Sequence, residues 1–397
     1  MPLRPTVAEI FLVALRLGCT SFGGPVAHLA FFRREYVEKR RWLDEALYAD
    51  LIALCQFLPG PASSQTGFGV GYLQRGLAGG LAAWCGFTLP SAVLMIGFAF
   101  GMTMLGDLES AGWLRGLKAA AVAVVAQAVW SMWRSLCPDT TRSLLAGASA
   151  GLLLLLPLAW CQIAVIGAGG LIGWWLWRDR PAPSPAATPV PSPATALPSG
   201  VPPLVLFFVL LIALPWAARL GEAPWLEMFD RFYRAGSLVF GGGHVVLPLL
   251  EREVVAPGWV THDQFLAGYG VAQAVPGPLF SFSAYLGAVS PHGPGGIAGG
   301  CWALAAVFLP ALLLVAGTLP FWQRLRTHRA AQAALRGANA AVVGILLAAL
   351  IHPVGTAGLT GGASVALAAA VLVLLQVARL PSWAAVGGAA VAGALLL

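Results

Sequence analysis

The sequence has little charge. Among 397 residues there are 23 Lys+Arg and 16 Asp+Glu, so charged side chains make up 10% of the chain, against about 25% in a soluble domain. That is too few to coat a water-exposed surface of this size. A disordered chain is excluded as well, because 58% of the residues are apolar and the mean hydropathy is +0.80. Catalytic motifs are also missing. There is no HExxH and no clustered Asp pair, so no catalytic residue, metal or cofactor is expected. The six cysteines, Cys19, Cys55, Cys85, Cys137, Cys161 and Cys301, are scattered without a CxxC and read as small apolar residues. The basic residues form no long tail and no patch interleaved with aromatics. The net charge of +7 therefore does not point to nucleic acid. They sit in short loops between apolar stretches, where positive charge sets membrane orientation. A cleavable signal peptide is not evident, since the first apolar stretch holds Glu9 and Arg16 and lacks a small-residue cleavage site.

What the chain has is apolar length, with 48 Gly and 29 Pro. Long apolar stretches fall at about residues 7–22, 77–101, 111–133, 143–160, 161–178, 202–217, 229–247, 295–319, 337–351, 361–378 and 382–397. Two more, at about 46–74 and 263–290, are interrupted by Pro59-Gly60-Pro61 and Pro276-Gly277-Pro278. A span needs about 20 residues, so half of either interrupted stretch is too short, and each is expected to be a broken helix or a re-entrant pair. The expected fold is an all-α polytopic membrane protein. Its expected organisation is an N-terminal repeat (1–178), a Pro/Ala/Ser-rich linker (179–203), an extra transmembrane segment and connection (204–228) and a C-terminal repeat (229–397).

The two repeats are visible residue by residue. At an offset of 218, Gly18 to Gly24 aligns with Gly236 to Gly242, Arg16 meets Arg234, and Glu35 meets Glu253. At 217, Trp42 meets Trp259, Gln56 meets Gln273, and the two Pro-Gly-Pro motifs coincide. At 220, Gly79-Gly80 meets Gly299-Gly300 and Leu89-Pro90 meets Leu309-Pro310. So many Gly, Pro and Trp matches in one order indicate an internal duplication. Loop charges differ in sign. Arg33, Arg34, Lys39, Arg40 and Arg41 follow the first segment, whereas its counterpart carries Arg252 among Glu251, Glu253 and Asp263. Because positive loops face the cytoplasm, the halves are expected to be inverted, with 202–217 supplying the extra crossing.

Inverted repeats with discontinuous helices suit a secondary transporter. Pro removes a backbone donor, and Gly between two prolines permits a sharp turn. A half-helix that starts at such a break offers free N–H groups to an anion. The expected anion site is accordingly Pro59-Gly60-Pro61 and Pro276-Gly277-Pro278, with Gln56 and Gln273 as polar partners. The second breaks, Phe22-Gly23-Gly24 and Phe240-Gly241-Gly242, belong to the same candidate site or serve close packing. Arg16 and Arg234 are the expected cations, because a charge within a membrane segment usually faces the bundle interior or a water-filled cavity and a guanidinium fork suits a tetrahedral oxyanion. The alternative is that either snorkels to an interface or pairs with an acid such as Glu9 or Asp230. Candidates for ion coupling are Asp50, His28, His244 and Lys118, each with an ordinary structural role as the competing reading.

Phe22-Gly23-Gly24-Pro25, the basic run to Arg41-Trp42-Leu43, Gln56-Phe57-Leu58-Pro59-Gly60-Pro61 and Phe87-Thr88-Leu89-Pro90-Ser91 resemble the chromate ion transporter family, and the second half repeats the set from Phe240 to Pro310. The resemblance covers almost the whole chain except the linker, and matches the long, two-domain form. It implies antiparallel halves, about 13 transmembrane segments, a bacterial inner-membrane location and export of chromate with chromate resistance. Sulfate, a tetrahedral dianion of similar shape, is the expected competitor and the alternative substrate. The lipid bilayer and, as an open possibility, a second copy of the chain are the other partners. An enzyme acting on a phosphate group is the remaining alternative, and it lacks the residues it would need.

Overall fold

The computed structural model describes residues 5–104, 111–156, 160–179, 199–240, 243–325 and 328–397. Among them every regular element is helical. α1 (Val7–Thr20) begins where the Thr6 hydroxyl accepts a hydrogen bond from Glu9 N–H, and its buried stripe is Ile10, Val13, Ala14, Leu17 and Gly18. The chain turns at Gly23 and Gly24, both at positive φ. It restarts as α2 (Gly24–Phe32), which runs on as a π-helical stretch, Arg33–Lys39. α3 (Glu45–Phe57) is capped by the Asp44 carboxylate and ends before Pro59-Gly60-Pro61. α4 (Ala62–Met104) is a hairpin, because Arg75 and Gly76 leave helical geometry and divide it into arms 62–74 and 77–104. Gly71 and Gly79 meet backbone to backbone across that turn, where no Cβ fits. α5 (Gly112–Leu136), α6 (Thr140–Leu155) and α7 (Cys161–Trp177) complete the first half.

α8 (Val201–Gly221) has no counterpart in the first half and is the least buried of the long apolar helices. It starts within the stretch expected to be linker. Pro202 and Pro203 fall in its first turn, where the missing N–H is harmless. Residues 180–198 of that linker lie outside the described residues. The second half then repeats the first: α9 (Pro224–Ser237), α10 (Val246–Val254), α11 (His262–Ala274), α12 (Phe282–Val289) and α13 (Gly296–Thr318). A one-turn α14 (Trp322–Leu325) leads to α15 (Arg329–Ala349), a short α16 (Thr356–Gly358), α17 (Gly362–Gln376) and α18 (Ser382–Leu396). The α12–α13 hairpin matches the arms of α4, and Gly287 meets Gly299 as Gly71 meets Gly79. Among the described residues five helices are long and apolar enough to cross a membrane, while several others of 10–17 residues are apolar but shorter.

The halves are exchanged into one another. α7 packs along α15, and its repeat mate α18 packs along α5, the mate of α15. Both contacts run over small residues. Gly169 and Gly173 face Gly337, and Gly393 faces Gly112 and Gly116. Lipid chains are as apolar as leucine, so helices in lipid associate by close backbone approach and dispersion, which small residues allow. A Cβ built on Gly243 would stand 3.9 Å from Pro25 Cγ, and Pro25 is its own repeat equivalent. These two repeat equivalents, one from each half, therefore lie next to each other.

Candidate functional site

The broken segments are tied together by a reciprocal backbone bond. Gly60 N–H donates to Val239 C=O at 2.7 Å, and Gly277 N–H donates to Ser21 C=O at 3.0 Å. Gly60 and Gly277 are equivalents, and so are Ser21 and Val239. Each Pro-Gly-Pro turn is thus tied to the end of the first helix of the opposite half. The same turns press on the kinked long helices. A Cβ on Gly60 would lie 2.7 Å from Ala311 Cβ, and one on Gly277 would lie 3.0 Å from Ser91 Oγ. Ala311 and Ser91 are again equivalents, each following the helix-interior prolines Pro310 and Pro90. Gly60 (φ +125) and Gly277 (φ +99) both occupy backbone space that only glycine enters freely.

Around the Gly277 turn the side chains are polar and buried. His28 Nδ1 is 3.3 Å from Ser63 Oγ, the Ser91 hydroxyl donates to Thr88 C=O at 2.9 Å, and the His28 ring stands edge-on to Phe87. Ser21 and Thr88 are 0% and 2% exposed, yet Ser21 Oγ and Thr88 Oγ1 have no hydrogen-bond partner among the described residues. Ser64 Oγ, Gln65 Oε1 and Gln273 Nε2 are likewise unpartnered, and all three lie beside a Pro-Gly-Pro turn in the chain. Gln65 also steadies the first turn, its amide donating to Pro59 C=O at 2.9 Å. Buried polar groups are nearly always satisfied, so this concentration of open donors and acceptors sets the region around the two turns apart.

The expected site residues divide. Pro59, Gly60, Pro61, Pro276, Gly277 and Pro278 are half-buried or buried and lie in the turns just described. Phe22 packs against Trp383, Gly23 and Gly24 form the first break, and Phe240 is half-buried beside the second. Gly241 and Gly242 lie outside the described residues. Gln273 is half-buried, whereas Gln56 is exposed on α3. The arginines part company. Arg16 is exposed on α1 and has no ion-pair partner among the described residues. Arg234 pairs with Asp230 at 2.9 Å and with Glu253 at 3.4 Å. Of the coupling candidates, His28 joins the polar cluster and His244 Nδ1 lies 3.0 Å from the Tyr269 hydroxyl. Lys118 is buried in an ion pair with Asp263 at 2.9 Å, and Asp50 is half-buried on α3.

Two arginines that the sequence reading passed over hold matching positions. Arg40 bonds Glu9 and Glu35 at 2.6 and 2.8 Å and lies over Trp42. Arg231 bonds Glu227 at 2.8 Å, stands 3.7 Å from Glu253 and lies over Trp259. The acids and tryptophans are repeat equivalents, but the arginines come from different places in the sequence. The signal was there, in two matched acid pairs that each need a bridging cation. A neighbouring pair keeps its place with other residue types. Arg33 bonds Glu45 at 2.7 Å, and the equivalent positions hold Glu251 and His262 at 3.4 Å. The hydrogen bond from Arg33 holds the Glu45 carboxyl below the ordinary carboxylate range.

A family model described as Chromate transporter matches the chain twice, over residues 8–174 and 226–394. A chromate transport protein of Pseudomonas aeruginosa is 30% identical over 358 residues, covering 86% of this chain and 80% of that protein. One from Cupriavidus metallidurans is 27% identical over 87% of this chain and 82% of its own length. A probable chromate transport protein of Synechococcus elongatus is 26% identical over 85% and 82%. No solved structure matches.

Proposed function

From the premise that this chain belongs to the chromate transporter family, as a multi-pass protein of the bacterial inner membrane, we propose that it exports the chromate dianion from cytoplasm to periplasm and so confers chromate resistance. The observation that carries the mechanism is the reciprocal bonding of Gly60 to Val239 and Gly277 to Ser21. It ties both Pro-Gly-Pro turns to the ends of the opposite first helices, and half-helix N–H groups at such breaks attract an anion. Arg16, exposed and without an ion pair among the described residues, supplies positive charge on the helix that ends at Ser21. Arg234 is already neutralised by Asp230 and Glu253 and serves the fold of the second half. The driving force suits export. An inside-negative potential contributes about 2.3 kcal/mol per charge per 100 mV, hence roughly 4.6 for a dianion. Antiport against protons adds to it, with His28, His244, Asp50 and Lys118 as the ionisable groups in reach of the helices.

The opposite charge of equivalent loops favours inverted halves. The cluster of Arg33, Arg34, Lys39, Arg40 and Arg41 is then cytoplasmic, and its counterpart around Glu227, Glu251 and Glu253 periplasmic. Uptake of labelled chromate into energised inside-out vesicles tests the reading, with excess sulfate as competitor. Uptake that requires this protein and resists sulfate is expected. Movement of sulfate without chromate would make another tetrahedral oxyanion the substrate. Arg16→Ala is expected to weaken chromate uptake about tenfold with normal membrane insertion, since charged hydrogen bonds contribute about 1.5–3 kcal/mol. Unchanged affinity would remove Arg16 from the site.

A further inference from the structure

The duplication is symmetric in backbone and asymmetric in side chains at the one place where a ligand would sit. Ser21 accepts a hydrogen bond from Gly277 N–H and Ser91 lies against Gly277, and Thr88, His28 and Ser63 join them in one polar group. Their repeat equivalents are Val239, which accepts from Gly60 N–H, Ala311, which lies against Gly60, and Phe308, Val246 and Phe280. Five polar positions in one half answer to five apolar positions in the other. Val239, Val246, Phe280, Phe308 and Ala311 are all fully buried, and the rings of Phe280 and Phe308 lie 5.6 Å apart. Those five side chains are hydrocarbon, and the amide of Gln65, the polar side chain against Gly60, already donates to Pro59 C=O, which leaves its open Oε1 as an acceptor that offers an oxyanion nothing. On the polar side two hydroxyls, Ser21 Oγ and Thr88 Oγ1, are buried and unpartnered.

We propose that the oxyanion binds in only one of the two equivalent breaks, the chamber of the N-terminal half closed by the Gly277 turn, with the hydroxyls of Ser21 and Thr88 donating to its oxygens. This rests on the transport reading above. The apolar counterpart around Gly60 is a packed pivot. The donors are neutral, which fits a carrier: hydroxyls oriented by the fold replace part of the anion's hydration without the tight grip of a buried guanidinium pair, so the ligand is released. His28 and Ser63, bonded to each other, form one wall, and Ser91 holds the Gly277 turn against the other.

The test separates binding from folding. Removing a buried hydroxyl that has no partner costs the fold nothing, since its desolvation penalty goes with it. Ser21→Ala and Thr88→Val, purified in lipid nanodiscs, are therefore expected to keep or raise the unfolding temperature while the chromate Kd rises about tenfold or more. Val239→Ala, in the apolar counterpart, is expected to lower the unfolding temperature and leave the Kd within about twofold. Equilibrium dialysis with labelled chromate, repeated with labelled sulfate, gives the affinities. Wild-type affinity in both hydroxyl variants overturns the assignment, as does loss of affinity in Val239→Ala. If the wild-type protein binds sulfate but not chromate, the sulfate Kd values decide the chamber and only the substrate reading fails. If it binds neither anion, the chamber and the oxyanion reading fall together.

Discussion

Lys118 shows what burial does to a single charge. Its side chain is 8% exposed and its ammonium lies 2.9 Å from Asp263, which begins α11 in the other half. Removing one partner strands the other in a low-dielectric interior. Lys118→Met is therefore expected to destabilise the protein by about 3 kcal/mol, and adding Asp263→Leu should recover most of it. Thermal unfolding of the single and double variants checks this, and equal losses in both would show that the pair contributes no such coupling. In the sequence Lys118 was legible only as a cation within an apolar stretch. Its partner lies 145 residues away, and no local pattern links them. Arg234 was legible in the same limited way. The choice between an anion ligand and an ion pair with Asp230 was open until the fold put Glu253 beside it as well.

At the scale of the element, the breaks matter more than the helices. α1 and α3, with 14 and 13 residues, are each about 20 Å long at 1.5 Å per residue, short of the hydrocarbon thickness of about 30 Å. They end where glycine and proline permit, and the free ends are taken up by the opposite half. Gly60→Ala and Gly277→Ala place a Cβ in positive-φ backbone and against Ala311 or Ser91. Each is expected to cost about 1–3 kcal/mol and to abolish chromate uptake in vesicles. Retention of full transport by either variant would show that its turn is free to rearrange. The breaks themselves were plain in the sequence, because Pro-Gly-Pro in an apolar run has few other readings. The break at Arg75 and Gly76 was legible only as the boundary between the stretches 46–74 and 77–101, and that the two arms fold back on each other was not, since one glycine carries little signal.

For the whole molecule the question is orientation. Five cations, Arg33, Arg34, Lys39, Arg40 and Arg41, against Arg252 among Glu251, Glu253 and Asp263 in the equivalent loop are the asymmetry that inverted halves need under the positive-inside rule. In a cysteine-free background, Glu38→Cys is expected to react with an impermeant thiol reagent only from the cytoplasm, and Ala256→Cys only from the periplasm. Labelling of both from one side would establish parallel halves.

Composition, periodicity and repetition determined by themselves that the chain is helical, lies in lipid, is duplicated and is broken at four places. Those properties follow from local chemistry, namely hydropathy, missing backbone donors and glycine's freedom at positive φ. The tertiary structure decided which turn meets which helix end, that the halves exchange helices through glycine contacts, that Arg234 is paired while Arg16 has no ion pair among the described residues, and that the hydroxyls of Ser21 and Thr88 are buried without partners among them. Each of these depends on contacts between residues a hundred or more positions apart, and a residue's partner across such a distance is set by packing.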